Sequence, residues 1–571
     1  MHVAITRRHY KGRVYETTLL RRSYREGGKV KHETLGNLSH LSAETVELIR
    51  RSLRGERLVP AEESLRIERT LPHGHVAAVL GTARRLGLER LLGRERRRER
   101  DLCLALVCQR LLRAGSKLSA TRRFSLSTLG EELEVEGASE AELLGAMDWL
   151  LPQQERIEAA LARRYLQEGG FVLYDLSSSY VEGRKCPLAA LGYPRDGKKG
   201  KLQICYGLTC SAEGRPVAVE VFDGKTHDDA TLPQALERIK KRFGIERVVV
   251  CGDRGMVTEA NIETLRGHDF DWITALRAPQ VQALVEAGDL QLSLFDETNL
   301  AEIASERYPG ERLVVCRNPH VASERARKRE ALLEATEKEL AKVKASVENP
   351  RGRLHGKPAG PIGERAGRVV NRFKVAKHFR LVIADGRFDY TRDGHTIGEE
   401  SALDGFYVLR TSVAADELSP QAVVRAYKLL RHAEQAFRAM KSPELEIRPI
   451  YHHLEDRVRA HVLLCMLAYN VRFELEARLG PLLFKDDNPL APIDPVAPAQ
   501  RSPAGKKKAA SRHTKDGLPV SSLRDLLDTL GTLARNHVRP AGSALTFDQL
   551  TEATPLQTRA LELLDVNPAR V

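Results

Sequence analysis

Two short apolar runs, each closing on an aspartate, constrain this chain more than anything else in it. They are FVLYD (171–175) and the valine-rich start of RVVVCGDRG (247–255). An apolar run without polar alternation is the pattern of a strand covered on both faces, and such strands belong to sheets flanked by helices. Between the two runs lie KLQICYGLTC (201–210) and RPVAVEVFD (215–223), which alternate apolar and polar, with Ala212-Glu213-Gly214 as the turn between them. A helix is predicted from about Asp229 to Phe243. The predicted order is one strand, an antiparallel pair, a helix, and a strand parallel to the first. DWITALRA (271–278) follows as a further strand, so an α/β core spans 169–285.

At roughly 150 residues per domain, a chain of 571 residues holds about four structural units. Residues 1–60 read as a basic β-hairpin arm. RVYETTLLRR and KVKHETLGNL, within 13–38, are β-rich, and Gly27-Gly28 supply the positive φ angles of a tight turn. Its basic residues suit a DNA-contacting arm and equally a protected sheet edge. Residues 61–168 read as a helical region for DNA binding or dimerisation. DLCLALVCQRLL and EAELLGAMDWLL show apolar spacing near 3.6, and Pro152 ends the second. Gly115-Ser116, in LLRAGSKLSATRRF, fits either a helix-turn-helix or plain helix packing.

The interval 286–400 is heterogeneous. A charged helix is predicted over 323–345, with Ser323 as its N-cap and Glu334, Lys338 and Lys342 laddered on a solvated face. Strands return over 369–410. Residues 401–480 then carry two helices, one from about Pro420 to Met440 and one from His453 to about Arg478. A linker rich in Pro, Ala and Lys covers 481–519, and a helical region covers 520–571.

The chain has 91 Lys and Arg against 77 Asp and Glu, a net charge of +14. That surplus favours a polyanionic partner. It is uneven: residues 1–60 hold 13 Lys or Arg and 6 Asp or Glu, an excess of seven and half of the total. Further concentrations run from Arg84 to Arg100, predicted as a helix, and from Arg501 to Lys515. Any one run can be a solvated face; three together point to nucleic acid. The eight cysteines are scattered with no CxxC pair, as in a reduced, cytoplasmic protein, here expected to be nucleoid-associated. MHVAITRRHYKGRVY has no signal-peptide core. Val462–Val471, flanked by Arg459 and Arg472, reads as a buried helix, so no membrane partner is expected.

Strand C-termini in an α/β sheet gather ligand-contacting groups, and Asp175 and Asp253 each close a predicted strand. Either one alone is also an ordinary turn or N-cap residue. A third carboxylate, Glu434, lies in the helix YKLLRHAEQAFRAMK (427–441). Carboxylates crowded together stay ionised only beside a cation, and oxygen-only donors suit a hard ion such as Mg²⁺ or Mn²⁺. Two ions roughly 3.5–4 Å apart would activate a water and stabilise the leaving oxygen of a phosphodiester. In the helix, Tyr427, Arg431, Glu434, Arg438 and Lys441 fall at offsets 0, 4, 7, 11 and 14 and share one face. A carboxylate flanked by cations one turn away suits a metal ligand beside phosphate-binding groups. The same spacing also suits a surface ladder of Arg431, Glu434 and Arg438.

These residues resemble the DDE transposases of bacterial insertion sequences, in the group with a YREK signature. Tyr427, Glu434 and Lys441 match the signature's spacing; the family Arg falls at Leu430, with Arg431 offset by one. LGYPRDGKKGKLQICYGLTCSAEGRPVAVEVFDGKTHDDATL, GDRGMVTEANIETL and RPIYHHLEDRVRAHVLLCMLAY resemble three family blocks in order, over roughly 170–275 and 400–475. The resemblance implies an α/β, RNase H-like catalytic core, in two parts (169–285 and 401–480) around a β-rich insertion (286–400), with an N-terminal β-hairpin and helical region and C-terminal helices. It implies that Asp175, Asp253 and Glu434 are catalytic metal ligands for about two Mg²⁺ or Mn²⁺ ions. It also implies that Tyr427, Lys441 and Arg431 contact DNA ends, and Arg438 and Arg254 are assigned with them. The implied partners are double-stranded DNA, as terminal inverted repeats and target, and a second copy of the chain.

GYPRDGKK (192–199) nearly spells a phosphate-binding loop but lacks its final Ser or Thr, so no nucleotide cofactor is expected. Asp228 or Asp229 is expected to cap the helix that follows. His452, His453 and His461 lack partners at zinc spacing and read as ordinary histidines. Two other functions share the same residues: a nuclease on this core that cuts without joining, and a DNA-binding protein whose site has decayed.

Overall fold

A computed structural model describes residues 1–56, 64–486, 489–490, 494–541 and 543–571. The chain divides into two compact units, Met1–Leu71 with Ala534–Glu552, and Pro72–Leu533 with Ala553–Val571.

In the first unit, β1 (His2–Tyr10), β2 (Arg13–Glu26) and β3 (Lys29–Asn37) form an antiparallel meander. The expected hairpin is β2–β3: Glu26 pairs with Lys29 across Gly27-Gly28, whose φ angles of 56° and 77° are the two left-handed positions of a type I′ turn. The arm is larger than a hairpin, since β1 and a helix, Ala43–Leu53, belong to it; residues 57–60 lie outside the described residues. Several of its cations are paired across strands, among them Arg7 with Glu16 and Arg22 with Glu33. The region expected to be helical from residue 61 opens instead, after 57–63, on a strand, β4 (Leu65–Pro72). Leu65, Ile67 and Leu71 recur there at period two. β4 joins β15 (Ala534–Pro540) and β16 (Phe547–Leu550) in one sheet, so the C-terminal region is not wholly helical.

The second unit begins with a helical layer. The basic run Arg84–Arg100 is not one helix: it is divided among Gly74–Arg85, Leu88–Leu92 and Arg98–Arg113, with Gly87 at φ 69° and the extended Gly93 as the breaks. Arg98–Arg113 is buried along most of its length. After Gly115, Ser116 accepts from the Ser119 N–H and caps the seven-residue helix Lys117–Arg123, which packs on Glu140–Leu150.

Against these helices lies an eight-stranded sheet. Its central strands are β5 (Phe171–Tyr180), β6 (Gln203–Ser211), β7 (Pro216–Asp223), β8 (Val249–Gly252) and β9 (Asp271–Ala275). They are ordered β7-β6-β5-β8-β9, with β5–β6–β7 antiparallel and β5–β8–β9 parallel. This is the predicted RNase H-like arrangement. Burial explains the two apolar runs, since all of β8 and most of β5 are buried; β6, whose sequence alternates, is nevertheless buried throughout. The helix expected from 229 to 243 is Leu232–Glu237 continued by a π-helical turn, Arg238–Arg242, and Thr231 holds its N-cap position, so neither Asp228 nor Asp229 is the cap.

The interval 286–400 differs most from expectation. β10 (Leu300–Ile303) and β11 (Arg312–Arg317) extend the main sheet through β14 (Phe406–Thr411). The remainder is mainly helical: Pro319–Glu348, Ala359–Phe373 and Gly394–Ala402 surround one hairpin, β12 (Phe379–Ala384) and β13 (Arg387–Arg392). The long helix starts at Pro319 under an Asn318 cap, not at Ser323. It is not solvated all round, because Leu333, Leu340, Val343 and Val347 pack against Ile362, Ala366 and Val370. The ladder of charges on the opposite face hides that stripe.

The helix expected over 420–440 is two, Pro420–Lys428 and Leu430–Lys441, which meet at Leu429. Glu455–Arg478 follows with its centre fully buried. Among the described residues, no helix is long and apolar enough to cross a membrane. The expected linker 481–519 is docked: Lys428 Nζ donates to the carbonyls of Val496 and Ala497, and Ser502 caps a helix, Pro503–Ser511. Residues 487–488 and 491–493 of that linker lie outside the described residues.

Candidate active site

Asp175 does not end its strand. β5 runs on to Tyr180 because β6 pairs with it throughout, whereas β8 stops at Gly252, the partner of Tyr174. Asp175 therefore sits where β5 loses its parallel neighbour, and Asp253 is the next residue beside it in the ladder. Adjacent strands are about 4.8 Å apart and in-register parallel residues point to the same face, so the two carboxylates share one side of the sheet. The Asp175 carboxyl accepts from the Leu176 N–H at 2.8 Å, and that of Asp253 from the Arg254 N–H at 2.7 Å.

Helix Leu430–Lys441 brings the third carboxylate. Its apolar face, including Ala433, Phe437 and Met440, is buried, and Phe437 meets Tyr206 of β6 edge-on at 5.5 Å between ring centroids. The turn between β6 and β7 fixes its start: His432 Nδ1 lies 3.0 Å from the Ala212 carbonyl oxygen. Gly214, at φ 87°, leaves room for it, since a Cβ there would stand 2.4 Å from that of His432. Glu434 and Arg438 thus face outward from the helix above β5.

A cleft of about 510 Å³ collects Asp175, Glu434, Arg438 and Lys441 with Ser177, Arg195 and Arg448. Although part of Asp175 reaches the surface, its carboxyl is desolvated, and burial together with the charges of Asp253 and Glu434 raises its pKa to about 7. Lys441 Nζ donates to Ser177 Oγ at 2.5 Å; burial, reinforced by Arg448, lowers its pKa to about 8.

Asp253 and the other predicted residues, Tyr427, Arg254 and Arg431, are not part of this cleft's lining. Tyr427 is half-buried, and burial, with Asp253 and Glu434 adding to it, raises the pKa of its hydroxyl. Arg254 is exposed beside Asp253. Arg431 is exposed and lies 3.5 Å from His432 Nε2, while Leu430, at the family's Arg position, packs against the core. Among the described residues, no group of three or more His, Cys, Asp and Glu side chains is assembled that could by itself hold a metal ion.

Arg195, Asp196, Ser177 and Arg448 were not singled out from the sequence. Arg195 and Asp196 come from the stretch that imitates a phosphate-binding loop. Gly192 there serves close packing, since a Cβ would stand 2.1 Å from the Gly224 carbonyl oxygen. Asp196 pairs with Arg448 at 3.1 Å and accepts from the Tyr180 N–H at 3.1 Å; Arg195 pairs with Asp228. A basic residue inside a block that resembles the family's was the available signal.

The strand order β7-β6-β5-β8-β9, with carboxylates and cations gathered over β5, is the arrangement of the RNase H-like class. The family model described as "Transposase DDE domain" matches residues 175–471, and that described as "IS1634 family transposase, N-terminal domain" matches residues 3–63. The chain belongs to the DDE transposases of insertion sequences, metal-dependent enzymes that cleave and transfer DNA. No curated protein matches it. A solved structure, the piggyBac transposase synaptic complex with hairpin DNA, is remotely similar, at 10% identity and a TM-score of 0.33, covering 80% of this chain and 76% of that one.

Proposed function

We propose that Asp175, Asp253 and Glu434 together hold the divalent cations of the transposase, about two Mg²⁺ or Mn²⁺ ions. The observation that carries this is geometric: Asp175 and Asp253 follow directly on the paired Tyr174 and Gly252 of adjacent parallel strands, and Glu434 lines the same cleft as Asp175, whose pKa is raised first by burial and then by the charges of Asp253 and Glu434. The donor set is all oxygen, which fits a hard ion. Glu434, on an exposed helix face beside the strand carboxylates, would hold the ions together with Asp175 and Asp253. When bound, the ions supply Lewis-acid activation of the attacking oxygen and neutralise charge developing at phosphorus.

The chain's own residues orient the DNA. Lys441 and Arg438, from the cleft, and Arg254, beside Asp253, would contact phosphates, and Tyr427 and Arg431 would contact the DNA end. In the first step water attacks the phosphorus at the element end, the bond from phosphorus to O3′ breaks, and a free 3′-hydroxyl is left. In the second, that hydroxyl attacks another phosphodiester, in the opposite strand or in target DNA, so one bond forms as one breaks. The ends are terminal inverted repeats paired by a homodimer.

Supercoiled plasmid carrying the element's ends, incubated with Mg²⁺, tests the assignment. Asp175→Asn, Asp253→Asn and Glu434→Gln should each lower cleavage by on the order of 10³-fold or more. Wild-type rates in all three would show the assignment to be wrong. Nicked product without strand transfer would instead indicate a nuclease.

A further inference from the structure

Away from the three carboxylates, the second unit buries two cations that form no ion pair among the described residues. Arg110, on Arg98–Arg113, and Lys117, at the start of Lys117–Arg123, are each only 6% exposed. Lys117 Nζ donates to His461 Nδ1 at 3.0 Å, and Arg110 Nη2 lies 3.3 Å from the same nitrogen. Arg110 Nη1 donates to the carbonyls of Leu445 and Glu446, at 2.6 and 3.0 Å. His461 Nε2 sits 3.0 Å from the Ile447 carbonyl oxygen, which assigns the ring proton to Nε2 and leaves Nδ1 as an acceptor. The imidazole is therefore neutral and supplies no countercharge. Burial and the charge of Arg110 hold the Lys117 pKa down to about 7, and no carboxylate opposes them.

Both cations line a pocket of about 540 Å³. Its other charged or titratable walls are Arg448, Arg457, His452 and His453, with Glu140 and Glu446 exposed at the rim. Arg448 is matched by Asp196 at 3.1 Å and Arg457 by Asp148 at 2.8 Å. Among the described residues Arg110 and Lys117 have no ion-pair partner, and the hydrogen bond shown for Lys117 Nζ is the one to His461. An ammonium buried beside a guanidinium is unfavourable unless an anion completes the site. Arg448 lines both this pocket and the catalytic cleft, so the two adjoin.

We propose that this pocket receives a backbone phosphate of the DNA strand that continues out of the catalytic cleft, held by Lys117 and Arg110. Phosphate oxygens accept from such donors, and one contact of this kind would set how far the strand extends past the reacting phosphorus. The inference rests on the DNA-transposase reading and adds to it a contact outside the signature helix.

The test uses the full chain and a duplex ending in the element's terminal repeat, bound in EDTA across a range of salt concentrations. Lys117→Met should weaken binding about tenfold and flatten the slope of log affinity against log salt by about 0.9, the value for one lost phosphate contact. Lys117→Arg should keep the wild-type slope. Leu454→Asp, at the rim and at the N-cap of Glu455–Arg478 where Asp is favoured, should weaken binding while leaving the buried pair in place. A scan with neutral methylphosphonate linkages should find one position that weakens wild type about tenfold and Lys117→Met not at all. A folded Lys117→Met with the wild-type slope and scan would overturn the contact; should that variant not fold, wild-type binding by Leu454→Asp would do so. Inorganic phosphate that raises the Tm of wild type but not of Lys117→Met, with DNA binding unchanged, would assign the pocket to a free anion and equally overturn it. Absence of both binding and cleavage by wild type would remove the transposase reading itself, a separate result.

Discussion

The helical insertion and the catalytic cleft are both dense in charge, and they arrange it in opposite ways. In the insertion, Arg329 reaches Asp404 with both side chains about nine-tenths buried, Arg392 is forked between Glu330 and Glu337, and Lys344 meets Asp389 at 2.9 Å. Each of these charges is answered by its opposite. In the cleft, burial and then the like charges of Asp253 and Glu434 raise Asp175 toward neutrality, and burial beside Arg448 lowers Lys441. Matched charge holds a subdomain together, whereas mismatched charge is stable only in the presence of something absent from the chain itself. For the cleft, under the proposed function, that something is a divalent cation and a phosphodiester.

Variants in the two regions should separate stability from activity. Arg329→Ala leaves Asp404 buried and unpaired, which should cost about 3–5 kcal/mol in urea unfolding. Cleavage per folded molecule should stay at the wild-type level; a loss of cleavage matching the triad variants would place the insertion in the catalytic machinery. Lys441→Met should leave stability nearly unchanged and lower kcat/KM for end cleavage by about 10–100-fold, the range for one charge-assisted phosphate contact. Because the free lysine is charged below about pH 8, that deficit should shrink as pH rises above 8. A deficit independent of pH would mean the ammonium is not the contact.

The smallest effect belongs to Asp175 in metal-free protein. Its folded pKa of about 7 lies above the unfolded value near 3.8, so the folded state holds the proton more tightly and loses stability as pH rises between those values. In EDTA, Asp175→Asn should therefore melt a few degrees above wild type at pH 8, with the gain fading as pH falls below 7. A constant gain across that range would show that desolvated charge at Asp175 is not its origin.

The strand order β5 to β9, the neighbouring aspartates and the helix of Glu434 were legible in the sequence, because each depends on local periodicity or on spacing within a block. The insertion was not. Glu334, Lys338 and Lys342 advertise a solvated face, and Leu333, Leu340 and Val347, seven residues apart, are outnumbered by charge. β1, β4, β15 and β16 were missed because their apolar series are short or interrupted: Arg69 stands between Ile67 and Leu71, Asn536 between Ala534 and Val538, Arg7 and His9 follow Val3 and Ile5, and β16 has only four residues. The break at Leu429 leaves no mark, since every residue around it favours helix. Contacts far apart in sequence were also invisible: Lys117 and His461 are separated by 344 residues, and Lys441 and Ser177 by 264.

The central claim is that three carboxylates from two strands and one helix form a single cation site. Titration of Mn²⁺ into the full chain with bound end DNA, followed by electron paramagnetic resonance, tests it most directly. The account predicts about two tightly bound ions per active site, lost or greatly weakened in Asp175→Asn, Asp253→Asn and Glu434→Gln. Unchanged stoichiometry and affinity in the protein carrying all three substitutions would contradict it.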